Sequence, residues 1–237
     1  MTGEPPSTPT PDFATAWARA DAVGGWLTRD QGQALWAAAS GVTAGGRILE
    51  IGSHQGRSTI VLASAAGPKG VEVVAVDPFL AGGMFGGPGT RDRFTANVAA
   101  AGVAGAVRLV VDRSTRLRPT WREPLDMLFV DGKHDYWTVR DDLRWARHLP
   151  VGAPVLVHDA FSSIGVTLGL LLHVLPGREL RYLGRTGSLA RFETGRPSTG
   201  DRLRMLAELP WFVRNVAIKI ALRAGRVVGS RGTPDPF

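Results

Sequence analysis

The segment VDGKHDYWTVRDDL, residues 130–143, carries a histidine and several acids directly after the apolar run LDMLFV. The unperturbed pKa of a histidine is about 6.5, which makes His134 a candidate general base near neutral pH. Asp131 is a candidate partner for that base, or a ligand for a divalent cation, because hard cations prefer carboxylate oxygens. Two simpler interpretations compete with catalysis: a polar loop that caps a helix, or a solvated helix face.

The other side chains of this segment are predicted to be structural or solvated. We expect four charged residues to face solvent: Lys133, Asp135, Asp141 and Asp142. Trp137 and Trp145 are eight residues apart on one predicted helix, which is a spacing typical of core residues. We therefore expect both tryptophans to pack in the core.

Five short apolar runs predict five buried strands: RILEI (47–51), VEVVAV (71–76), VRLVV (107–111), LDMLFV (125–130) and APVLVH (153–158). Buried strands that alternate with helices are typical of a parallel sheet covered on both faces. The later segment LRYLGRTGSLARFET (180–194) has two strand-like runs around two glycines, which predicts an antiparallel hairpin. The predicted fold is therefore α/β, a doubly wound sheet that ends in a hairpin.

Helical patterns precede and separate these strands: PDFATAWARADAV, TRDQGQALWAAASG, GRSTIVLASAAG, TRDRFTANVAAAG and YWTVRDDLRWARHL. Thr28 or Asp30 is expected to cap the second helix, and Gly41 is expected to end it. A Gly-rich loop (82–89) follows the second strand and precedes the fourth helix.

The first strand runs into LEIGSHQGRST, in which Gly52 and Gly56 enclose a strand-to-helix turn. Glycines at such a turn let a ligand approach the backbone closely, and the amides at the start of the helix point outward. The spacing lacks the dinucleotide fingerprint G-x-G-x-x-G. Glu50 lies in the strand, where a carboxylate needs a partner, and is a candidate to hold a cationic ligand. The turn alone is equally consistent with an ordinary strand-to-helix connection.

Acids also follow the second and third strands. Asp77 lies 25 residues after Gly52, where an acid can accept hydrogen bonds from two ribose hydroxyls. The alternative is that Asp77 caps its own loop beside Pro78. Ligands in open α/β sheets bind at the carboxyl edge of the strands. The third strand is expected to place three more polar residues at that edge: Asp112, Arg113 and Ser114.

Taken in order, ILEIGSHQGRST, VAVDPF, VVDRS, LFVDGKHDY and VLVHD resemble the strand-end motifs of class I S-adenosylmethionine-dependent methyltransferases. The resemblance is to a small O-methyltransferase-like branch whose fourth strand ends in Asp-Gly-x-His, and macrolide-sugar and catechol O-methyltransferases are similar at these motifs. It covers residues 25–195. The resemblance implies a Rossmann-like, seven-stranded sheet with a reversed last strand and strand order 3-2-1-4-5-7-6.

The same resemblance implies S-adenosyl-L-methionine as the cofactor. It assigns a set of strand-end residues to cofactor binding: Glu50, Gly52, Ser53, Gly56, Ser58, Asp77, Asp112, Arg113 and Ser114. In this assignment the residues of the glycine turn line the methionine and ribose side. Asp77 binds the ribose hydroxyls, and the residues after the third strand lie near the adenine.

The resemblance further implies methyl transfer to a hydroxyl oxygen, with His134 as base. Asp131 and Asp159, at the ends of strands four and five, would hold a divalent cation such as Mg²⁺. Metal-dependent relatives have a further amide or acid ligand beside the position of Asp159, where this chain has Ala160. His158 is the candidate replacement, although Mg²⁺ prefers oxygen ligands. Three residues after strand five are candidate substrate contacts: Phe161, Ser162 and Ser163.

Two hypotheses about function follow from these residues. The first is an O-methyltransferase whose acceptor is the hydroxyl of a sugar, a glycolipid or a natural product. The second is a membrane-associated S-adenosylmethionine-binding or scaffold protein without turnover. Intact Asp131 and His134 favour the enzyme, because a protein without turnover has less reason to keep them.

Composition bounds the remaining possibilities. The 237 residues include no cysteine, which excludes disulfides and thiolate metal sites and agrees with a reducing, cytoplasmic location. Residues 1–160 hold 16 basic and 16 acidic side chains, so the net charge of +7 comes from 12 basic and 5 acidic ones in 161–237. We expect a disordered leader without signal-peptide character (1–12), a methyltransferase domain with N-terminal helices (13–196) and a basic appendage (197–237).

The segment LPWFVRNVAIKIALRAGRVVG (209–229) predicts a basic amphipathic helix that starts at a proline. Four of its residues recur on one face: Asn215, Lys219, Arg223 and Arg226. Such a stripe is typical of a helix on an anionic membrane, here its inner face. The alternative is a helix packed on the domain or on a second subunit of a homo-oligomer. We expect no nucleic acid partner, because no stacking platform accompanies the charge.

Overall fold

The computed structural model describes residues 12–80 and 88–227, and the side chains of 12–80 and 89–221. Parts of three sequence predictions fall outside the described residues: the leader (1–12), the Gly-rich loop (82–89) and the side chains of Arg223 and Arg226. Within the described ranges, strands and helices alternate as the apolar runs predict.

Seven strands form one sheet in the described part of the chain: β1 (Arg47–Ile51), β2 (Glu72–Val76), β3 (Val107–Val110), β4 (Met127–Val130), β5 (Pro154–Val157), β6 (Leu180–Thr186) and β7 (Leu189–Thr194). Their order is β3-β2-β1-β4-β5-β7-β6. The first five strands pair in parallel, and β7 pairs antiparallel with both β5 and β6. The doubly wound fold with a reversed last strand is therefore confirmed.

The pairing register places the ends of four parallel strands at one level. Ile51 pairs with Val76 on β2 and with Val130 on β4, and Val130 pairs with Val157 on β5. Because parallel strands end at the same edge, the residues that follow these four strands lie side by side. The polar residues of the candidate site come directly after them.

Nine α-helices accompany the sheet within the described ranges: α1 (Phe13–Asp21), α2 (Arg29–Ser40), α3 (Arg57–Ala66), α4 (Pro88–Ala100), α5 (Ser114–Leu117), α6 (Tyr136–Leu143), α7 (Ile164–Gly169), α8 (Thr199–Leu206) and α9 (Leu209–Val227). Thr28 and Gln31 exchange hydrogen bonds in a capping box at the start of α2, and Gly41 follows its end, as predicted. Asp135 caps α6 by accepting a hydrogen bond from the amide of Thr138, so it is not a solvated loop residue.

Two apolar clusters cover the two faces of the sheet. Leu35 of α2 and Ile60 of α3 belong to one cluster, and Val139 of α6 belongs to the other. Ile48 of β1 faces the first cluster and Leu49 faces the second, as the alternation of side chains along a strand requires. Burial on both faces explains why the parallel strands read as continuous apolar runs.

The prediction that both tryptophans of the 136–149 region pack in the core is wrong for Trp137. Trp145 is fully buried against Trp121, with ring centroids 5.6 Å apart, whereas Trp137 is 67% exposed. Helix α6 ends at Leu143, and the chain continues as a 3₁₀-helix, Arg144–His148. The tighter 3₁₀ winding changes the angle per residue, so a spacing of eight no longer places both rings on one face.

The C-terminal helix α9 lies against the domain by the side that carries Asn215 and Lys219. Asn215 is fully buried and Lys219 is half-buried, whereas Val213 and Ile220 are each 63% exposed. Of the two alternatives for the basic face, these residues favour packing on the domain. No helix among the described residues is both long and apolar enough to cross a membrane.

Candidate active site

The glycine turn after β1 lies directly against the turn after β4. Gly52 has φ +87°, in the left-handed region that favours glycine. A Cβ at Gly52 would overlap the carbonyl oxygen of Asp131 and would lie 2.8 Å from Cα of Gly132. Gly56, with φ +93°, precedes the first residue of α3. Glycine at position 52 therefore allows a close approach of the two turns that any larger residue would prevent.

Glu50 on β1 is fully buried and has the partners that its position requires. Its carboxylate accepts hydrogen bonds from the hydroxyls of Ser58, at 2.5 Å, and Thr59, both in the first turn of α3. Burial raises the pKa of Glu50 to about 7, although the hydroxyl hydrogen bonds oppose the shift. The structure thus places Ser58 on Glu50, within the fold, where the two residues fix the start of α3.

Asp77 follows β2 and accepts three backbone hydrogen bonds. The amides of Ser53 and His54 donate to its Oδ2 at 3.0 and 2.9 Å, and the amide of Phe79 donates to its Oδ1 at 2.8 Å. Asp77 therefore has the loop-capping role that was the alternative to ribose binding. A carboxylate offers about four acceptor sites, so one site on Oδ1 is left for a ligand hydroxyl.

The three polar residues after β3 differ in their surroundings. Arg113 is exposed, Asp112 is half-buried and Ser114 is buried. The hydroxyl of Ser114 donates a hydrogen bond to Asp142 of α6, which is fully buried. The prediction that Asp142 faces solvent is wrong, because α6 packs this side chain against the β3–α5 turn. Burial raises the pKa of Asp142 to about 7.

Two carboxylates and two imidazoles meet where β4 and β5 end. Nε2 of His134 lies 3.2 Å from Oδ2 of Asp159 and 3.7 Å from Oδ1 of Asp131. Nδ1 of His158 lies 3.2 Å from Oδ1 of Asp131 and 3.6 Å from Oδ2 of Asp159. His134 is on the solvent side, with 39% of its side chain exposed, and His158 is buried beneath. Each carboxylate therefore faces both imidazoles.

Gln31 of α2 fixes the orientation of His158 from the interior. Oε1 of Gln31 accepts a hydrogen bond from the amide of Thr28 at 2.9 Å, and an amide N–H can only donate, so this atom is the side-chain oxygen. Nε2 of His158 lies 3.2 Å from the same oxygen and must therefore be a donor. The remaining nitrogen, Nδ1, faces two carboxylates, where a proton is favoured over a lone pair. Nδ1 of His158 therefore lies within ion-pair distance of both carboxylates, without a well-aligned hydrogen bond to either, and its role as a metal ligand stays a prediction.

Burial and charge act in opposite directions on these four groups. Burial disfavours the charged form of His158, but Asp131 and Asp159 outweigh it and raise the pKa of His158 to about 10. The same balance raises the pKa of His134 above its ordinary value. Burial also opposes ionisation of the two carboxyl groups, yet His158 lowers the pKa of each. Asp131 and Asp159 therefore favour the charged form of His158, and His158 favours the charged forms of the two carboxylates.

Three of these side chains also have the spacing of a metal site. One ligand atom each from Asp131, His134 and Asp159 lies within 4.8 Å of the others. Two oxygens and one nitrogen fall short of the six ligands of Mg²⁺, so water and substrate would have to supply the remainder. Ala160, at the position of the further ligand in metal-dependent relatives, is buried and offers none.

The turn after β5 has an unusual backbone. Asp159 and Phe161 have φ values of +54° and +57°, and the left-handed region costs a non-glycine residue about 1–3 kcal/mol. Phe161 is buried against Tyr182, with ring centroids 6.0 Å apart, and Ser162 is buried as well. The hydroxyl of Ser162 donates to Oδ1 of Asp159 at 3.0 Å. These two expected substrate contacts therefore support the turn, because their side chains point into the protein.

Two contributors to this region have little signal in the sequence. Gln31 has the local signature of a capping box, but nothing in that signature indicates its contact with His158, 127 residues away. Thr59 follows Ser58 and donates to the same carboxylate, that of Glu50. A buried carboxylate needs donors, so the burial of Glu50 is the signal in the sequence that points to the hydroxyl of Thr59.

The strand order, the glycine turn and the acids after β2, β4 and β5 define a Rossmann-like methyltransferase fold. Residues 49–160 match the model of a family described as a methyltransferase domain. This segment is therefore a methyltransferase domain, and the match confirms the resemblance of the strand-end motifs to class I S-adenosylmethionine-dependent methyltransferases. This class favours the enzyme over a scaffold without turnover.

Several solved structures share the fold. Rv0187 from MTB, in a cofactor-bound crystal structure, is 26% identical, with 83% of this chain and 91% of that chain covered and a TM-score of 0.57. The O-methyltransferase TomG from Streptomyces achromogenes, in complex with SAM, is 24% identical over 84% of this chain and 92% of its own, with a TM-score of 0.55. The O-methyltransferase from Bacillus cereus, in complex with SAH, is 19% identical over 80% and 93%, with a TM-score of 0.54.

Proposed function

We propose that the protein transfers the methyl group of S-adenosylmethionine to a hydroxyl oxygen, with His134 as general base. The observation that carries the proposal is the pairing of His134 with Asp159, 3.2 Å apart, at the edge where β1, β2, β4 and β5 end. Methyl transfer to a hydroxyl needs an aligned oxygen and a group that accepts its proton. The similarity in fold to two O-methyltransferases described with SAM or SAH agrees with an oxygen acceptor.

The geometry suggests how the proton moves. If Nε2–H of His134 donates to Asp159, the lone pair of His134 is on Nδ1, which takes the proton of the acceptor hydroxyl. Bound S-adenosylmethionine would supply its sulfonium methyl group to the acceptor oxygen, with S-adenosylhomocysteine, a neutral thioether, as the second product. The imidazolium that forms is stabilised by the carboxylates of Asp159 and Asp131.

For the cofactor we propose a site along the ends of β1, β2 and β3. The backbone of Gly52 and Ser53 would face the methionine part, and Asp77 would accept a ribose hydroxyl at its remaining acceptor position. Glu50 and Ser58 would contribute indirectly to cofactor binding, because the hydrogen bond between them holds the start of α3 in place. The adenine would lie beside three residues after β3: Asp112, Arg113 and Ser114.

Replacing Asp77 by alanine is expected to weaken S-adenosylhomocysteine binding about 10- to 100-fold, because a hydrogen bond to a charged group contributes about 1.5–3 kcal/mol. Isothermal titration calorimetry measures this change. The matched control is Asp126→Ala, since Asp126 also caps a backbone amide, that of Arg47, but at the opposite edge of the sheet. The Asp126 variant should bind the ligand as the wild type does. Unchanged affinity in Asp77→Ala would show that Asp77 is a loop cap alone.

A divalent cation is an alternative occupant of the acidic edge. Asp131, His134 and Asp159 would hold it, and a bound Mg²⁺ would lower the pKa of a coordinated acceptor hydroxyl and orient that group. In this arrangement His134 is a ligand and not a base, whereas a cation held by Asp131 and Asp159 alone would leave His134 as the base. His158 keeps its contact with Gln31 in either case.

For the acceptor we propose the hydroxyl of a sugar, a glycolipid or a natural product, reached from the cytoplasm. The exposed side of α9 carries Val213 and Ile220, with Arg214 beside them. Residues 161–237 have 12 basic and 5 acidic side chains. Apolar side chains on a basic segment suit contact with an anionic membrane surface, where a lipid-linked acceptor would lie. Methyl-transfer screening of polar lipid and saccharide extracts tests the acceptor class.

The double substitution Val213→Glu and Ile220→Glu is expected to lower binding to anionic liposomes about tenfold or more, because each apolar side chain buried at the surface contributes roughly 1.5–3 kcal/mol. Flotation with liposomes that contain phosphatidylglycerol measures the bound fraction. The control is Val151→Glu. Val151 is 89% exposed and precedes β5, at the edge of the sheet opposite the candidate site, so this variant should bind liposomes as the wild type does. Wild-type protein that does not float with these liposomes would remove the membrane role.

A further inference from the structure

Helix α9 lies outside the residues that match the family model, yet it contacts the turn that carries Asp159. We propose that α9 is a working part of the active site, in which Asn215 and Lys219 are positioning residues. They hold the turn 159–163 in the conformation that directs Asp159 toward His134. The inference rests on the role of His134 proposed above.

The ends of this turn find their hydrogen bonds locally. The carbonyl of Asp159 accepts hydrogen bonds from the amides of Ser162 and Ser163, at 3.3 and 3.0 Å. The carbonyl of Ser163 accepts one from the amide of Thr167 in α7, at 3.0 Å. These contacts resemble the beginning of a helix and leave the carbonyls in the middle of the turn to be satisfied by another element.

Helix α9 supplies that element. Nδ2 of Asn215 donates to the carbonyl of Phe161 at 3.1 Å, and Nζ of Lys219 donates to the carbonyl of Ser162 at 3.0 Å. A carbonyl can only accept, so the side-chain amide of Asn215 has one orientation. Asn215 is fully buried, and a buried carbonyl that loses its donor is destabilised. The two contacts therefore act on successive peptide groups of the turn.

The backbone of the turn makes such support necessary. Asp159 and Phe161 both have positive φ values, which non-glycine residues keep only when the surrounding structure holds them there. The carboxylate of Asp159 lies 3.2 Å from Nε2 of His134, and relaxation of either residue toward negative φ would move this carboxylate. A shift of about 1 Å at a catalytic group can cost 100-fold in rate. By holding the turn, Asn215 and Lys219 would therefore keep the carboxylate of Asp159 beside His134, the proposed base.

The start of α9 is fastened to β6, which makes the helix a rigid support. The hydroxyl of Tyr182 donates to Glu208 at 2.9 Å, and Nε of Arg185 donates to the same carboxylate at 2.7 Å. The guanidinium of Arg185 lies 3.8 Å from the ring centre of Trp211. These contacts tie the first turn of α9 to the reversed hairpin, so Asn215 and Lys219 act from a fixed position.

The test uses the full chain with Asn215→Asp, which keeps the shape of the side chain and, as a carboxylate, cannot donate to Phe161. We expect kcat to fall at least tenfold and the affinity for S-adenosylhomocysteine to stay within twofold. Deuterium uptake should rise in peptides that cover residues 158–163. Lys219→Ala should change kcat and deuterium uptake in the same direction. Lys219→Arg, which keeps a donor, should recover activity. Ala217→Ser, at an exposed position of α9 between Asn215 and Lys219 in the chain, is the control and should match the wild type.

Wild-type kcat and wild-type exchange in Asn215→Asp would overturn the proposal. Parallel losses of kcat and of S-adenosylhomocysteine affinity, with faster exchange throughout the sheet, would also overturn it, since they indicate a general structural defect. A third outcome separates the two proposals. If the wild type methylates no screened hydroxyl but exchange at 158–163 still rises in Asn215→Asp, the proposed function fails while the support of the turn by α9 stands.

Discussion

Replacement of His134 by alanine is expected to lower kcat for methyl transfer about 10²- to 10⁴-fold, the usual contribution of a positioned general base. The affinity for S-adenosylhomocysteine should stay within twofold, because the proposed cofactor contacts come from the ends of β1, β2 and β3. Thermal stability should change little, since His158 still balances Asp131 and Asp159. Steady-state kinetics with the screened acceptor measure kcat, titration calorimetry measures the affinity, and a thermal melt measures the stability.

The control for this substitution is His173→Ala. His173 is half-buried and pairs with the hydroxyl of Tyr136 at 2.8 Å, away from the two carboxylates, so kcat should be unchanged. Full turnover in His134→Ala would contradict the assignment of the base. Chelation tests the cation: if no cation is required, the wild type keeps its activity in EDTA. Loss of activity in EDTA and recovery with Mg²⁺ would instead place a required cation at Asp131 and Asp159.

The sheet and the position of the site are predictable from the sequence for a physical reason. Parallel strands buried on both faces consist almost entirely of apolar residues, so each polar residue that follows a strand marks its end. Parallel pairing brings these ends to one edge, which is why Asp77, Asp131 and Asp159 belong to one site although they are far apart in the chain. The glycine turn at Gly52 belongs to the same edge for the same reason.

The contacts behind that edge are not predictable in the same way. Asp142 follows Asp141 in a charged stretch, and only the packing of α6 on the β3–α5 turn decides which of the two is buried. Gln31 reaches His158 across 127 residues, and no periodicity encodes such a contact. The exposure of Trp137 depends on where the α-helix ends and the 3₁₀-helix begins, and helix ends are poorly determined by local sequence.

Helix α9 shows a related limit of what an amphipathic pattern can predict. A helix with apolar residues on several sides does not reveal which side packs on the protein. In α9 the buried side holds Asn215 and the half-buried Lys219, because backbone carbonyls of the turn after β5 bind their donors. Val213 and Ile220 remain on the exposed side. Trp211 and Phe212 pack on the core as well, so apolar contacts at the start of α9 and these polar contacts together determine the orientation of the helix.

Gly52→Ala is expected to weaken S-adenosylhomocysteine binding by about 100-fold or more, the largest loss of affinity that calorimetry would still detect. We also expect its melting temperature to fall strongly. The new Cβ would overlap the carbonyl oxygen of Asp131 and approach Cα of Gly132 to 2.8 Å. Both neighbours are backbone atoms, so the β1 turn and the β4 turn would have to separate. This separation would displace the proposed cofactor site and Asp131 at once, in addition to the strain of a positive φ.

Gly70→Ala separates the overlap from the backbone strain. Gly70 has φ +71°, close to that of Gly52, but a Cβ there meets no atom within 4 Å. It should therefore show the strain alone, roughly 1–2 kcal/mol, which corresponds to a decrease of about 2–8 °C in melting temperature for a chain of this size. Its affinity for S-adenosylhomocysteine should equal that of the wild type. Equal affinities in the two alanine variants would mean that the close approach of the β1 and β4 turns is not needed to bind the cofactor.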